Sequence, residues 1–159
     1  MTQYIRVSDK PRNKPNLKFS EISIEGDEEI INIPDNSCND THVFIDINKM
    51  KVLKELIIGN NSFQGVEDFN IDNLNELTKI SIDYHSFATS CNPNPHGSFN
   101  VSNCEKLESI QLGDFTFTHH SDSFTIRNLP SLRHLDIGKI GIYSLNFYWA
   151  SFCVRGICL

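Results

Sequence analysis

One spacing of apolar residues recurs along the chain and constrains its fold more than any other feature. From Leu53 to Phe63 the residues follow the pattern L-x-x-L-x-I-x-x-N-x-F. The same frame opens at positions 28, 53, 77, 107 and 132, so consecutive openings lie 25, 24, 30 and 25 residues apart. Steps of about 20–29 residues are typical of chains built from stacked supersecondary units. The single longer step indicates an insertion in the third unit.

A second pattern repeats in the same phase. A block in which apolar and polar residues alternate lies eight residues ahead of the openings at 53, 77, 107 and 132. Alternation of this kind predicts half-buried strands. One such strand cannot bury its apolar side alone, so stacked units should share a continuous core. We therefore predict that two groups of rings fill this core, one from the turn after the first strand and one from a second row of strands: Phe63, Phe87 and Phe117, and Phe69, Phe99 and Phe124.

With these repeats, residues 28–142 resemble a leucine-rich repeat protein, and in particular the irregular, phenylalanine-rich repeats of some unicellular eukaryotes. The resemblance implies a leucine-rich repeat solenoid. Its parallel β-sheet would form the concave face, with short or irregular convex segments. The resemblance also implies protein–protein recognition rather than catalysis, so no enzyme activity is expected.

The turn after the first strand departs from the family pattern in several units. Leucine-rich repeats place an asparagine there, whose side chain bonds to neighbouring backbone, and Asn36 and Asn61 hold that position. His85, Phe115 and Ile140 stand there in the other units. An asparagine ladder would therefore be incomplete, and these turns must be satisfied in another way.

The chain divides into three segments by composition. Residues 1–16 are basic and polar and contain two Lys-Pro pairs, so we expect a flexible arm. Residues 17–142 are expected to form the solenoid, with about five units and an N-terminal cap strand around Ile22 and Ile24 at the open end of the sheet. Residues 143–159 form an apolar tail with the single Trp and no acidic residue. Three interpretations of the tail stay open: a cap strand, a membrane segment, or an aberrant end that replaces further repeats.

Composition excludes several classes of partner. The net charge is −6 and the isoelectric point is near 5.4, whereas nucleic acids and anionic membranes call for a basic face. We therefore expect no nucleic-acid binding, and membrane contact only through the 143–159 tail. The first residues contain no apolar run of the secretory kind, which favours a cytoplasmic location.

Cofactor and metal sites are not indicated either. The five cysteines form no C-x-x-C pair. The doublet His119-His120 has no second ligand pair at a fixed spacing, so no metal site is predicted. Gly59, Gly113 and Gly138 share one column of the repeat and are interpreted as turn residues rather than as a phosphate-binding loop.

The predicted partner-binding site is the concave face of the sheet, formed by the positions between the core leucines and by the turn that follows them. We expect the protein to act as an interaction module that presents this face to a protein partner, with Tyr84 as the most plausible anchor. The alternative is a structural or truncated fragment of a larger surface or receptor-like leucine-rich repeat protein. The predicted site residues are Glu55, Ile57, Asn60, Lys79, Ser81, Asp83, Tyr84, Ser109, Gln111, Asp114, His134, Asp136 and Lys139.

Overall fold

A computed structural model describes residues 5–9, 20–24, 27–39, 43–88, 96–118, 120, 122–138, 146–147 and 152–155. Within these segments the secondary structure consists of β-strands joined by turns and loops, and none of the segments forms a helix that is long and apolar enough to cross a membrane. The strands are β1 (Ile5–Asp9), β2 (Ser20–Ile24), β3 (Ile30–Ile33), β4 (Val43–Asp46), β5 (Glu55–Ile58), β6 (Asp68–Asp72), β7 (Lys79–Ile82), β8 (Ser98–Ser102), β9 (Ser109–Leu112), β10 (Ser123–Arg127), β11 (His134–Asp136) and β12 (Phe152–Arg155).

The strands form two larger parallel sheets and one smaller sheet. The five-stranded sheet has the order β11-β9-β7-β5-β3, and the four-stranded sheet has the order β12-β10-β8-β6. From β5 to β12 consecutive strands alternate between these two sheets. The third sheet, β1-β2-β4, lies against the four-stranded sheet through β4 and β6. A parallel-sheet architecture was predicted, and the structure confirms it.

In the strand register, residues at equivalent positions of the repeat pair with each other. In the five-stranded sheet, Leu56 pairs with Ile80, Ile80 with Ile110, and Ile110 with Leu135. These are the equivalent positions of four successive repeats. The 30-residue step leaves this register unchanged, because the extra residues lie between Phe87 and β8. Of the proposed insertion, 88–97, the structure describes only the two ends.

One column of phenylalanine rings fills the core at the turn after the five-stranded sheet. Phe63 stacks on Phe87 with ring centroids 5.2 Å apart, and Phe87 stacks on Phe117 at 4.6 Å. Phe147, from the apolar tail, continues the column 5.1 Å from Phe117. The four rings are at most 2% exposed. Their separations are close to the spacing of about 4.7–4.9 Å between neighbouring strands, so each repeat adds one ring.

A second column belongs to the four-stranded sheet. Phe69 stacks on Phe99 at 5.2 Å, and Phe99 stacks on Phe124 at 5.0 Å. The two columns meet edge to face, as Phe99 and Phe117 do at 4.9 Å and 75°. Such geometries add about 0.5–1.5 kcal/mol per pair beyond the burial of area. The predicted core-filling roles of the two phenylalanine groups, and the second row of strands, are confirmed.

The backbone adopts an uncommon conformation at the turn that carries the first ring column. Asn61 and Phe63 both have positive φ, 54° and 56°, on either side of the buried Ser62. A residue other than glycine in this conformation costs about 1–3 kcal/mol, so it persists only where the surrounding structure holds it in place. The same pair of angles recurs in the other described repeats, at Asn36 and Cys38, His85 and Phe87, and Phe115 and Phe117.

Buried hydroxyl groups satisfy these turns. The amide of Ser62 donates to Oγ of Ser86 at 3.1 Å, and Oγ of Ser86 donates to the carbonyl of Gly59 at 2.7 Å. Oγ of Ser62 donates to the carbonyl of Pro34 at 3.1 Å. The incomplete asparagine ladder is thus complemented by a hydroxyl ladder one residue further along. In each case the hydroxyl bonds to the turn of the preceding repeat, and at His85 itself the ring Nδ1 lies 3.2 Å from Oδ1 of Asn61.

Two segments near the termini differ from the sequence-based expectation. Residues 1–16 were assigned to a loose arm, yet Ile5–Asp9 forms β1, antiparallel to β2. The alternation of Ile5 and Val7 with polar residues explains a strand there. The cap strand was expected at the open end of the main sheet, but β2 pairs with β4, on the side of the four-stranded sheet. In the apolar tail, β12 pairs in parallel with β10.

Candidate functional site

The outer face of the five-stranded sheet carries two rows of side chains from alternate positions of its strands. The strand register aligns them across the sheet, with neighbouring strands about 4.8 Å apart. These side chains are partly or well exposed, while the residues between them are buried in the core, apart from Leu135, which packs partly buried against it. The first row is Ile30, Glu55, Lys79, Ser109 and His134, and the second is Asn32, Ile57, Ser81, Gln111 and Asp136.

Most polar side chains of these two rows have no partner within the described part of the chain. The side chains of Lys79, Ser81 and Gln111 make no hydrogen bond and no ion pair with another described residue. Asp136 is engaged, since its Oδ1 accepts the amide of Gly138 at 3.1 Å. The face therefore offers free donors and acceptors in a regular array to anything that docks on it.

The outer face of the four-stranded sheet is the opposite case. Oγ of Ser98 donates to Oδ1 of Asp68 at 2.8 Å, and Nδ2 of Asn100 donates to Oγ of Ser98 at 3.1 Å. At the end of the same strands, Asp72 accepts from Oγ of Ser102 and from Nδ2 of Asn103, both at 2.7 Å. The bonds of Ser98 to Asp68 and of Ser102 to Asp72 join neighbouring strands, and that of Asn100 to Ser98 lies within one strand. Several polar groups of this face are therefore bonded within the fold, although the side chains of Asn70 and Thr125 have no bond to another described residue.

The hydrogen bonds to Asp72 also change the pKa of its carboxyl group. The hydrogen bond from Ser102 and then that from Asn103 lower the pKa of the Asp72 carboxyl, and Arg127 and Lys51 act in the same direction. Partial desolvation opposes them but does not outweigh them. The charged form of Asp72 is therefore the form that the four-stranded sheet holds.

Among the described residues, Tyr84 is the largest exposed ring at the end of the five-stranded sheet. It is 49% exposed, and its ring meets Phe115 edge to face at 5.6 Å. His85 lies 5.7 Å from the same ring. Gly113 packs beneath this turn: a Cβ there would lie 2.7 Å from the amide nitrogen of Tyr84. The glycine lets the two turns approach, and it fixes the position from which Tyr84 projects.

Charge is distributed unevenly over the site. Both signs of charge precede the strands, since Glu29 and Glu108 stand there as well as Lys54 and Arg133, and Lys54 pairs with Glu29 at 2.8 Å. The turn after the strands carries mainly carboxylates among the described residues. These are Asp35, Asp83 and Asp114, with Asp136 at the end of β11. The end of the sheet around Tyr84 is therefore its acidic end.

The structure places the predicted site residues together, with two qualifications. Twelve of them lie on the outer face of the five-stranded sheet or on the turn that follows it, whereas Lys139 lies outside the described residues. Asn60 is held by the fold, because its amide and its Nδ2 both donate to Asp35. Sequence reasoning missed Ile30, Asn32 and Asp35, which the frame of the first unit could have added.

The face also has a depression at its β11 end, with a volume of about 400 Å³. It is lined mainly by polar side chains, including Gln111, Arg133 and His134. No cluster of three or more histidine, cysteine or acidic side chains within the described ranges is arranged to hold a metal ion. The arrangement is an open surface with varied polar chemistry.

Comparison with known proteins gives no family for this chain. No protein-family model matches the sequence. No curated protein is significantly similar to it. No solved structure matches it either.

Proposed function

We propose that this chain is a leucine-rich repeat solenoid that works as a protein-interaction module, with the outer face of the five-stranded sheet as its binding surface. The observation that carries the proposal is the contrast between the two outer faces. One face uses several of its polar groups to tie strands together, and the other leaves Lys79, Ser81 and Gln111 without a partner among the described residues. A folded chain gains nothing internally from such an array, but a partner can bond to it.

The rigidity of the scaffold favours this role. Both phenylalanine columns and the hydroxyl ladder hold the strands at fixed spacings. A surface that is already ordered loses little conformational entropy on binding. Tyr84 adds a large amphipathic ring of the kind that often anchors interfaces. The carboxylates around it suit a partner that presents basic side chains at this end of the sheet.

The tail interpretation that fits the module best is the cap strand. β12 extends the four-stranded sheet beside β10, and Phe147 is buried on Phe117. A repeat stack needs an end unit that covers its last apolar ring. We therefore propose that residues 143–159 close the stack rather than enter a membrane.

The test compares two matched arginine variants in affinity purification from source-cell extract, with quantitative mass spectrometry. Ser81→Arg places a bulky charge in the centre of the proposed site. Thr125→Arg places the same residue at a half-buried strand position on the other face. The proposal expects one or more proteins that co-purify with the wild type and with Thr125→Arg but not with Ser81→Arg. Co-purification that is lost only with Thr125→Arg, or with neither variant, would refute it, provided that both variants melt like the wild type.

A further inference from the structure

His120 is a buried histidine that the proposed binding role does not use. Its side chain is fully buried, and neither ring nitrogen has a hydrogen-bond partner. The ring packs edge-on against Phe117 with centroids 5.1 Å apart. Buried polar groups are nearly always bonded, so an unbonded ring in this position calls for an explanation.

The ring lies where the insertion of the third unit returns to the fold. Gly97 packs directly against it: a Cβ at position 97 would come within 2.7 Å of Cδ2 of His120. Gly97 is tied to the segment after His120 by two bonds. Its amide donates to Oδ2 of Asp122 at 3.2 Å, and its carbonyl accepts the amide of Asp122 at 3.1 Å. His120 therefore fills the space behind a two-bond clasp.

The surroundings of the ring favour its neutral form. Desolvation lowers the pKa of His120, and this outweighs the opposing influence of the backbone carbonyls of Thr118, Glu67 and Val66 and of the Asp68 carboxylate. Those carbonyls make no hydrogen bond with the ring. Among the described residues, the ionisable side chains on the segments around it are Glu67, Asp68, His96 and Asp122, all exposed. His96 lies 3.6 Å from Asp122, on the outside of the clasp.

We propose that His120 is an acid-sensitive latch: protonation of its buried ring opens the clasp between Gly97 and Asp122 and separates the start of β8 from the start of β10. The opened segment exposes the imidazole to water, where it takes up a proton with a pKa of about 6.5. Above that pH, the neutral ring makes its full contribution to the stability of the closed clasp. This contribution falls as the pH drops below 6.5, until the lower pKa of the folded state is reached, because the opened state binds more protons.

The experiment follows individual amides by NMR hydrogen exchange at pH 7.5 and pH 5.5, with the rates corrected for their intrinsic pH dependence. The opening equilibrium at Gly97 and Asp122 should rise up to about tenfold at the lower pH. Amides of Ile80 and Ile110, in the centre of the five-stranded sheet, serve as the internal reference and should not respond in this way. His120→Phe keeps an aromatic ring without a titrating group and should abolish the response. His96→Gln should retain it, because the His96–Asp122 contact strengthens rather than weakens when histidine is protonated.

A wild-type measurement keeps the proposal testable if His120→Phe does not fold. The ring resonances of the histidines are titrated in the same samples. The latch requires that His120 titrates below the value of about 6.5 for an imidazole in water. The proposal is overturned if His120 titrates at that value while the Gly97 and Asp122 amides stay protected. It is also overturned if the acid response of these amides persists in His120→Phe.

Discussion

The outer faces of the two parallel sheets come from the same repeat, yet they use their polar residues in different ways. On the four-stranded sheet, Asp68 and Ser98, and Asp72 and Ser102, bond across neighbouring strands. On the five-stranded sheet, Lys79 and Ser81 occupy equivalent outward positions without such bonds. The comparison shows that strand alternation alone does not make a face structural. What distinguishes the faces is whether adjacent repeats supply complementary donors and acceptors.

The largest effect should come from the core that both faces share. Phe87→Ala removes a ring that is fully buried and stacked on both Phe63 and Phe117. We expect the free energy of unfolding to fall by about 3–5 kcal/mol, since the cavity lies between rings that cannot close over it. Urea denaturation measures the loss. Tyr84→Ala is the matched control, because this ring is 49% exposed, and it should change stability by about 0.5 kcal/mol or less.

If Tyr84→Ala destabilised the chain as much as Phe87→Ala, then Tyr84 would belong to the fold. Its assignment to a binding surface would lose its basis.

A smaller difference in stability is expected between substitutions of two serines in the same repeat, Ser81 and Ser86. Ser86 is buried, donates to the carbonyl of Gly59 and accepts a hydrogen bond from the amide of Ser62, whereas Ser81 faces outward and bonds to no other residue that the structure describes. Ser86→Ala leaves a buried amide and a buried carbonyl unpaired and should cost about 1–3 kcal/mol. Ser81→Ala should be close to neutral. Thermal melts of the two variants side by side test this pair, and equal shifts would contradict the hydroxyl ladder.

The smallest of these effects concerns Asp72 and depends on pH. Its bonds from Ser102 and Asn103 lower the folded-state pKa, so its contribution is present above the unfolded value of about 3.9 and is lost as the pH falls through the folded value. Asp72→Asn should therefore cost about 1 kcal/mol at pH 7, with a discount for partial exposure. The difference from the wild type should shrink in acid, as urea denaturation at pH 7 and near pH 3 would show.

Glu55→Gln is the corresponding change on the five-stranded face, where Glu55 has no bonded partner among the described residues. It should alter stability little at either pH. A cost at pH 7 as large as that of Asp72→Asn would remove the distinction between the two faces.

Much of the architecture could be predicted from the sequence, because the spacing of the repeat determines which residues meet when the units stack. The spacing of Leu56, Ile80 and Ile110 predicted the register, and the phenylalanines at 69, 99 and 124 predicted the second row of strands. A residue that recurs at one position in each unit must meet its counterparts when the units stack. Such a signal needs no knowledge of tertiary contacts.

Other features could not be predicted because they depend on pairings outside the repeat. β2 obeys the alternation of a strand, but alternation does not say which sheet a cap strand joins, and β2 joined β4. Phe147 lies in a tail that does not follow the repeat pattern, so its stacking on Phe117 could not be predicted from the spacing. Within the candidate site, the outward positions were predictable from the period of two. Whether their groups were bonded depended on the side chains of neighbouring repeats, as for Asn60 and Asp35.

The most direct test of the account compares two multiple-alanine variants, one for each face, by urea denaturation. The first replaces Glu55, Lys79, Ser81, Ser109 and Gln111, and the second replaces Asp68, Ser98, Asn100, Ser102 and Ser123. The account predicts a change of about 1 kcal/mol or less for the first variant. The second should lose about 3 kcal/mol or more, from the several inter-strand bonds removed. Equal losses would contradict the claim that the five-stranded face is kept free for a partner.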